Sequence, residues 1–271
     1  MQRTAVARRK KATPIWVWQI VGVLFLLGSW YLFTSVLKLQ PSYVMPTPEM
    51  VWEEYRYGFI KSDNPNDGQL IYAIGNSLRR VFTGYGIGII IGVIIGVILS
   101  TNQILRAVVG GWLIALQSIP SIAYIPLAII WFGLNEKAVL FVVVLEATLP
   151  VALALSGALL NVQPAVVTAG RNLGAVGLKV YTHVLLPASL PNIFTGIRVA
   201  WSFAWRALVG GELLSHAAGL GQLLETGRNV SNTALVLATM IIIGVVGVLF
   251  EQLIQRLENR VRSNYGLEVR K

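Results

Sequence analysis

The sequence predicts an all-α membrane protein with about six transmembrane helices. Three observations carry this. Of its 271 residues, 55% are hydrophobic and 13% are charged, against the roughly 25% charged residues of an average soluble domain. Mean hydropathy is +0.66. Apolar runs of the ~20 residues that span a bilayer core recur over residues 15–37, 81–99, 107–131, 138–160, 193–214 and 233–254. The chain therefore divides into a basic N-terminus (1–14), a first span (15–37), a segment between spans (38–80), a five-helix core (81–254) interrupted by a connection at 161–192, and a tail (255–271). One polytopic domain accounts for the whole length.

Arg8, Arg9, Lys10 and Lys11 precede the first run, as in a secretory signal. That run is longer than the roughly 7–15 residues of a signal core, and no small-residue cleavage site follows it, so it reads as a span. The remaining charge sets the orientation. Arg3 and the four basic residues above lie in the N-terminus, Arg171 and Lys179 in the 161–192 connection, and Arg256, Arg260, Arg262, Arg270 and Lys271 in the tail. Six spans put these three segments on one side. The other side receives Glu49, Glu53, Glu54, Asp63 and Asp67 against Lys38, Arg56 and Lys61. The positive-inside rule then places both termini and the connection in the cytoplasm. The net charge of +10 is thus orientation rather than a nucleic-acid footprint.

Within the second run, Gly84, Gly88, Gly92 and Gly96 recur every four residues, which puts them on one helix face and predicts a close helix-packing seam. Pro120 and Pro126 each remove a backbone hydrogen bond and predict kinks in the third run. Such broken helices are tolerated only against protein or a water-filled cavity. Ionisable residues at membrane depth are costly and functional by default. Glu146 lies in the fourth run, and Arg206 and Glu212 in the fifth. Arg206 either forms an interhelix ion pair with Glu146 or Glu212 or faces an open path. Arg198 is close enough to a helix end to snorkel. Arg79 and Arg80 open the second run, as interfacial anchors or as the rim of an anion entrance.

Whole classes of chemistry are absent. There is no cysteine, hence no disulfide and no thiolate ligand. His183 and His216 are far apart, and no P-loop or metalloprotease pattern occurs. No catalytic residue and no metal site is predicted.

The 161–192 connection is patterned. Pro164 starts a helix, Val166, Val167, Leu173, Val176, Val180, Val184 and Leu185 recur at mostly helical spacing, Gly174 and Gly177 divide it into two short helices, and Pro187 and Pro191 end it. A cytoplasmic helix pair showing apolar and basic surface suggests a docking element.

Its residues carry a family resemblance. Thr168-Ala169-Gly170-Arg171-Asn172-Leu173-Gly174, followed by Val184-Leu185-Leu186-Pro187, resembles the EAA loop of ABC-importer permeases. Ala169, Gly174, Leu186 and Pro187 stand at the family's offsets and Val184 is a conservative match, whereas Gly170 replaces the second alanine and Thr168 the glutamate. Ile119-Pro120, Pro126-Leu127 and Trp131-Phe132-Gly133 are similar to the nitrate/sulfonate/taurine/bicarbonate branch. So are Ser77-Leu78-Arg79-Arg80, Trp205-Arg206-Ala207-Leu208-Val209 with Glu212, and Gly219-Leu220-Gly221.

The resemblance implies the type I ABC importer permease fold in a bacterial inner membrane, and a homodimer. It implies two ATP-binding cassette subunits docked on a coupling loop of Thr168, Ala169, Gly170, Arg171, Gly174, Leu186 and Pro187, and a substrate-binding protein outside. ATP and Mg would reside in those partner subunits and no cofactor in this chain. The cargo implied is a small oxyanion (nitrate, bicarbonate or an organic sulfonate), although relatives also carry neutral metabolite precursors. Arg206, Glu212, Glu146, Arg79 and Arg80 are the candidate path residues, Arg206 because a guanidinium fork suits planar oxyanions. A free-standing secondary transporter is the competing class, and it would leave the docking loop unexplained.

Overall fold

The computed structural model describes residues 15–60 and 68–266. It is helical, with no strand among the described residues. In chain order the helices are α1 (Ile15–Tyr31, continued by a π-helical turn at Leu32–Val36), α2 (Pro48–Phe59), α3 (Gln69–Thr101), α4 (Gln103–Gln117) and α5 (Ser121–Phe132). There follow α6 (Glu136–Leu160), α7 (Pro164–Asn172), α8 (Leu178–Val180, running through a π-helical turn at Tyr181–Leu185 into α9), α9 (Leu186–Ser215), α10 (Leu220–Asn229) and α11 (Thr233–Asn264). The basic residues at 3–11 and at 270–271 lie outside the described residues.

Helix α6 is the axle. Burial inside the molecule reaches 67% along its apolar stretch, against 6% for the first span. It packs between α3 and α9. The α3 contact runs through the glycine face. A Cβ at Gly88 would lie 2.9 Å from the Val144 carbonyl oxygen, and at Gly92 and Gly96 it would lie 2.8 Å from those of Thr148 and Ala152. Only a missing side chain lets these backbones approach so closely. The pairing of Gly84 with Val143 and of Gly96 with Leu155 makes α3 and α6 parallel. Gly196 against Ala154 and Gly211 against Val139 make α9 antiparallel to both, and Thr195 against Glu258 with Trp205 against Gly247 makes α11 antiparallel to α9. The bundle therefore has an α10 end, where α3, α6 and α11 begin, and an α7 end, where they finish.

Helix starts follow local chemistry. Asn102, Asn135 and Asn232 accept hydrogen bonds from the first-turn N–H groups of α4, α6 and α11, and Thr47 does so for α2 ahead of Pro48.

The prolines behave unequally. Pro120 ends the α4 segment at a bend of 97° between α4 and α5, whereas Pro126 lies inside a continuous α5. Pro187 and Pro191, expected to end a helix, instead stand in the first turns of α9. The π-helical turn before Pro187 widens the coil where its ring would meet the preceding carbonyls. Ser189 and Thr195 bond back to the Leu185 and Pro191 carbonyl oxygens.

Among the described residues, four helices are long and apolar enough to cross a membrane, or five if the bent α4–α5 pair is one span. Helix α9, which holds the fifth predicted run, is 30 residues long but too polar to join that set. Helix α3 begins at Gln69, well before the run the hydropathy picks out at Val81.

Candidate functional site

Two ends of the bundle hold the residues singled out in the sequence. At the α10 end they converge on a buried carboxylate. Glu212 is completely buried and Arg80 nearly so, and the Arg80 Nη1 pairs with Glu212 Oε1. Ser77 Oγ donates to Glu212, with Oε2 at 2.7 Å. Two N–H groups from the first turn of α10 complete the cluster: Gly221 N donates to Glu212 Oε2 at 3.0 Å and Leu220 N to Ser77 Oγ at 2.9 Å. Orphan donors at a helix start are suited to an anion. Arg80 Nη2 donates to the Ala218 carbonyl at 3.2 Å.

Backbone shape makes this approach possible. His216 is in the left-handed region at φ 58, which turns the chain back over Glu212. A Cβ at Gly219 would fall on the Glu212 carboxyl group. Outside the pocket, Arg79 pairs with Glu136 at 2.8 Å, and Arg80 Nε lies 3.5 Å from the same carboxylate. One cluster thus ties together the ends of α3, α6, α9 and α10.

The charges pair differently from the ion pair considered for Arg206. Glu212 pairs with Arg80 and not with Arg206. Six residues on a helix turn the chain by about 240°, so Arg206 and Glu212 face different neighbours. Glu212 and Arg80 neutralise each other out of solvent. Glu146 is buried, with no ion pair and with Oε1 lacking a hydrogen-bond partner among the described residues. Arg206 is exposed, its Nε donating to the Ser202 carbonyl at 2.8 Å and its guanidinium 5.0 Å from the Phe203 ring centre.

At the α7 end the surface is apolar. Leu173 is 90% exposed, Leu178 77% and Val176 71%, grouped around the left-handed glycines Gly174 and Gly177 (φ 90 and 56). Thr168 and Ala169 are exposed as well, and Thr168 Oγ1 bonds back to the Pro164 carbonyl at 3.0 Å. Gly170 packs on Val184, where a Cβ would lie 2.5 Å from Cγ2, and this contact seats α7 on the π-helical turn that leads into α9. A cleft of about 400 Å³ lies beneath, bounded by Ser100 and Leu159 of the core and by Thr168 and Arg171 of α7.

Sequence patterning gave no role to Ser77, the α10 amides or Leu178. Backbone donors carry no letter in a sequence, and Ser77 was legible only as part of a motif. A polar seam between α9 and α11 was also missed. There Arg198 Nε lies 3.0 Å from Glu258 Oε2, Thr195 donates to Glu258 at 2.7 Å, and Ser202 donates to Glu251 at 3.0 Å.

Outside the spans, two groups on α2 shift. Hydrogen bonds from backbone N–H and then from the Thr47 hydroxyl hold the Glu49 carboxyl below its ordinary range. Burial raises the Tyr55 phenol.

The model of the family described as "Binding-protein-dependent transport system inner membrane component" matches residues 88–263, more than half of the chain. The chain is 26% identical over 246 residues to the taurine transport system permease protein TauC of Escherichia coli, covering 89% of this chain and 87% of that one. It is 31% identical over 265 residues to an Escherichia coli protein named for aliphatic sulfonates transport, SsuC, covering 95% and 98%. Among solved structures, the MetNI methionine ABC transporter in an inward-facing form shares the fold, with TM-score 0.64, 22% identity, and coverage of 74% of this chain and 99% of that chain.

Proposed function

The chain belongs to the family of binding-protein-dependent transport system inner membrane components and is an ABC-importer permease, and from that premise we propose that it forms the gated path of an ATP-driven importer for a small oxyanion. Two copies pair, two ATP-binding subunits dock on the α7 ends, and a substrate-binding protein docks at the α10 ends. Both termini and residues 161–192 lie in the cytoplasm, as the positive-inside bias supports, and the chain crosses six times with α9 as the fifth span.

The observation that carries this is the apolar knob of Leu173, Val176 and Leu178, exposed on the turn that joins α7 to α8. Exposed apolar clusters of this kind mark protein contact sites. The route from the knob inward is continuous. Helix α7 rests on Val184 through Gly170, the π-helical turn joins it to α9, and α9 runs for 30 residues, about 45 Å, to the Glu212 cluster. A push on α7 therefore moves the element that ties four helices at the far end. The π-helical turn, with its weaker bonding pattern, is the natural hinge.

Small oxyanions as cargo are supported by the names of the relatives and by the open guanidinium fork of Arg206, which is the path residue of choice. Arg79 stands at the α10 end, where cargo enters. Arg80 and Glu212 serve as the tie, and Glu146 lies behind the path wall.

The test is Leu173→Asp in the full chain purified with its ATP-binding subunits. Association is expected to weaken by about tenfold or more, as for a central interface anchor, with ATP hydrolysis no longer coupled to transport and the unfolding temperature of the chain unchanged. Full association by the variant would overturn the docking assignment.

A further inference from the structure

A groove of about 560 Å³ opens at the α10 end between α2, α3 and α11, lined by Trp52, Tyr55, Arg56, Phe59, Ile74 and Val245 among others. Arg56 is the one charged side chain among the described residues that line it. Helix α2 is fixed in place beside the groove. The Tyr55 hydroxyl donates to the Ala238 carbonyl at 3.2 Å and Asn232 Nδ2 donates to Glu54 Oε1 at 2.8 Å. Gly58 lies so close on Leu70 that a Cβ there has no room. The groove is therefore a built cleft and not a gap beside a loose helix. Val245 stands twelve residues into α11, about 18 Å along its axis. The cleft thus leads from the bundle end into membrane depth.

Its mouth is marked by aromatic rings and by two unmatched charges. Trp52 is 64% exposed and Tyr57 63%, and the Trp30 indole N–H donates to the Pro46 carbonyl at 3.0 Å. Such amphipathic rings gather at the level of lipid headgroups. Of the acids on α2, Glu49 accepts from the Ser35 hydroxyl at 3.2 Å and Glu54 is held by Asn232. Arg56 and Glu53 are exposed, and neither side chain has an ion-pair or hydrogen-bond partner among the described residues.

We propose that this groove is a phospholipid site, with one acyl chain lying along α11 beside α2 and the headgroup phosphate on the Arg56 guanidinium. An arginine fork matches a phosphate with two parallel hydrogen bonds. Glu53, three residues before Arg56, is its neighbour on the helix surface and favours a headgroup that brings an ammonium, hence phosphoethanolamine over phosphoglycerol. A helix of a second copy is the competing occupant. At 10–12 Å across it would fill the cleft with about one turn, far short of what a stable partner contact buries. An acyl chain is thin, flexible and in need of no hydrogen bond inside. Held there, the lipid links α2 and α11 to α3, the helix that carries Arg80 of the Glu212 cluster.

The experiment uses the full chain in detergent, stripped of lipid and titrated with dioleoylphosphatidylethanolamine, with bound lipids counted by native mass spectrometry. Wild type is expected to bind a first lipid about tenfold more tightly than those that follow. Val245→Trp, which fills the cleft at a position already 60% exposed, abolishes that first step. Ile90→Trp, equally exposed on α3 but outside the cleft, leaves it intact. Arg56→Gln weakens it about tenfold, the value of one hydrogen bond to a charged group, and removes the preference of wild type for the phospholipid over dioleoylglycerol. Dioleoylphosphatidylglycerol binds wild type more weakly, and Glu53→Gln erases that difference. Binding of successive lipids with equal affinity, unmoved by Val245→Trp, would overturn the site and leave only the ordinary lipid shell. A first step kept in full by Arg56→Gln would overturn the phosphate contact. The chain has no cysteine of its own, so a single Val245→Cys thiol reports on the empty cleft. If maleimide cannot reach that thiol in the lipid-free chain, the lipid is overturned and the groove belongs to a second copy. The permease reading stands or falls separately, on Leu173→Asp.

Discussion

The α10 end and the α7 end of the bundle treat polarity in opposite ways. Around Glu212 a full carboxylate is withdrawn from water and met by Arg80, Ser77 and the Gly221 amide, while the Leu220 amide donates to Ser77. Around Leu173 large aliphatic side chains are left in water with nothing on them. A buried and satisfied ionic cluster holds a chain's own elements together. An exposed aliphatic cluster costs the chain free energy until a partner covers it. The first end closes the fold and the second leaves an apolar surface open, and the two ends share one rod, α9.

Removing the tie gives the largest effect. Glu212→Ala strands Arg80 in a nearly dry site, and breaking a buried pair from one side costs about 3–5 kcal/mol. The full chain in detergent should unfold well below wild type. The double variant Glu212→Leu with Arg80→Met removes both charges and should recover most of that loss, because replacing a whole buried pair with apolar volume is close to neutral. A single variant less than about 1 kcal/mol destabilised would place the pair in the class of surface ion pairs and remove the contrast between the ends.

The seam between the ends comes next. At Gly88 a Cβ would meet Ala147 Cβ at 2.5 Å, so Gly88→Leu overpacks the α3–α6 contact and costs about 1–3 kcal/mol. Gly111 has nothing within 4 Å of its Cβ position, and Gly111→Leu should leave thermal unfolding where it was. Equal effects at the two glycines would mean that the four-residue repeat is not what fixes α3 on α6.

Much of this was legible in the sequence, for identifiable reasons. Hydropathy found the four or five long apolar helices among the described residues because lipid allows so few backbone solutions, and a glycine every fourth residue found the seam because helix period is fixed. The motif Thr168 to Pro187 pointed to the loop that holds α7 and α8. Glu212 was legible as costly, but its partner was not. Arg206 is near it in sequence and on another side of the helix, whereas Arg80 is on another helix altogether. The amides of Leu220 and Gly221 could not be read, since every residue but proline carries one. Pro187 and Pro191 misled because a proline in the first turns of a helix looks, in sequence, like one that ends it.

The smallest effect is at Thr168, where the resemblance leads one to expect glutamate. Its hydroxyl is spent on the Pro164 carbonyl of its own helix, and the exposed surface beside it is aliphatic. Docking of the α7 end, as proposed above, would therefore be by apolar contact, and that attraction is not screened by salt. Association of the wild-type chain with its ATP-binding subunits should change little between low and high ionic strength. Thr168→Glu places a carboxylate three residues before Arg171, a helix pair worth about 0.2–0.5 kcal/mol, so chain stability moves by no more than that. What it should introduce is salt dependence: at physiological salt, screening acts over about 8 Å, and any charge contact the new glutamate makes across the interface weakens as salt rises. Affinities measured for both chains across an ionic-strength series decide the matter. A steep salt dependence already present in wild type would show that a charge, and not the Leu173 cluster, holds the partner.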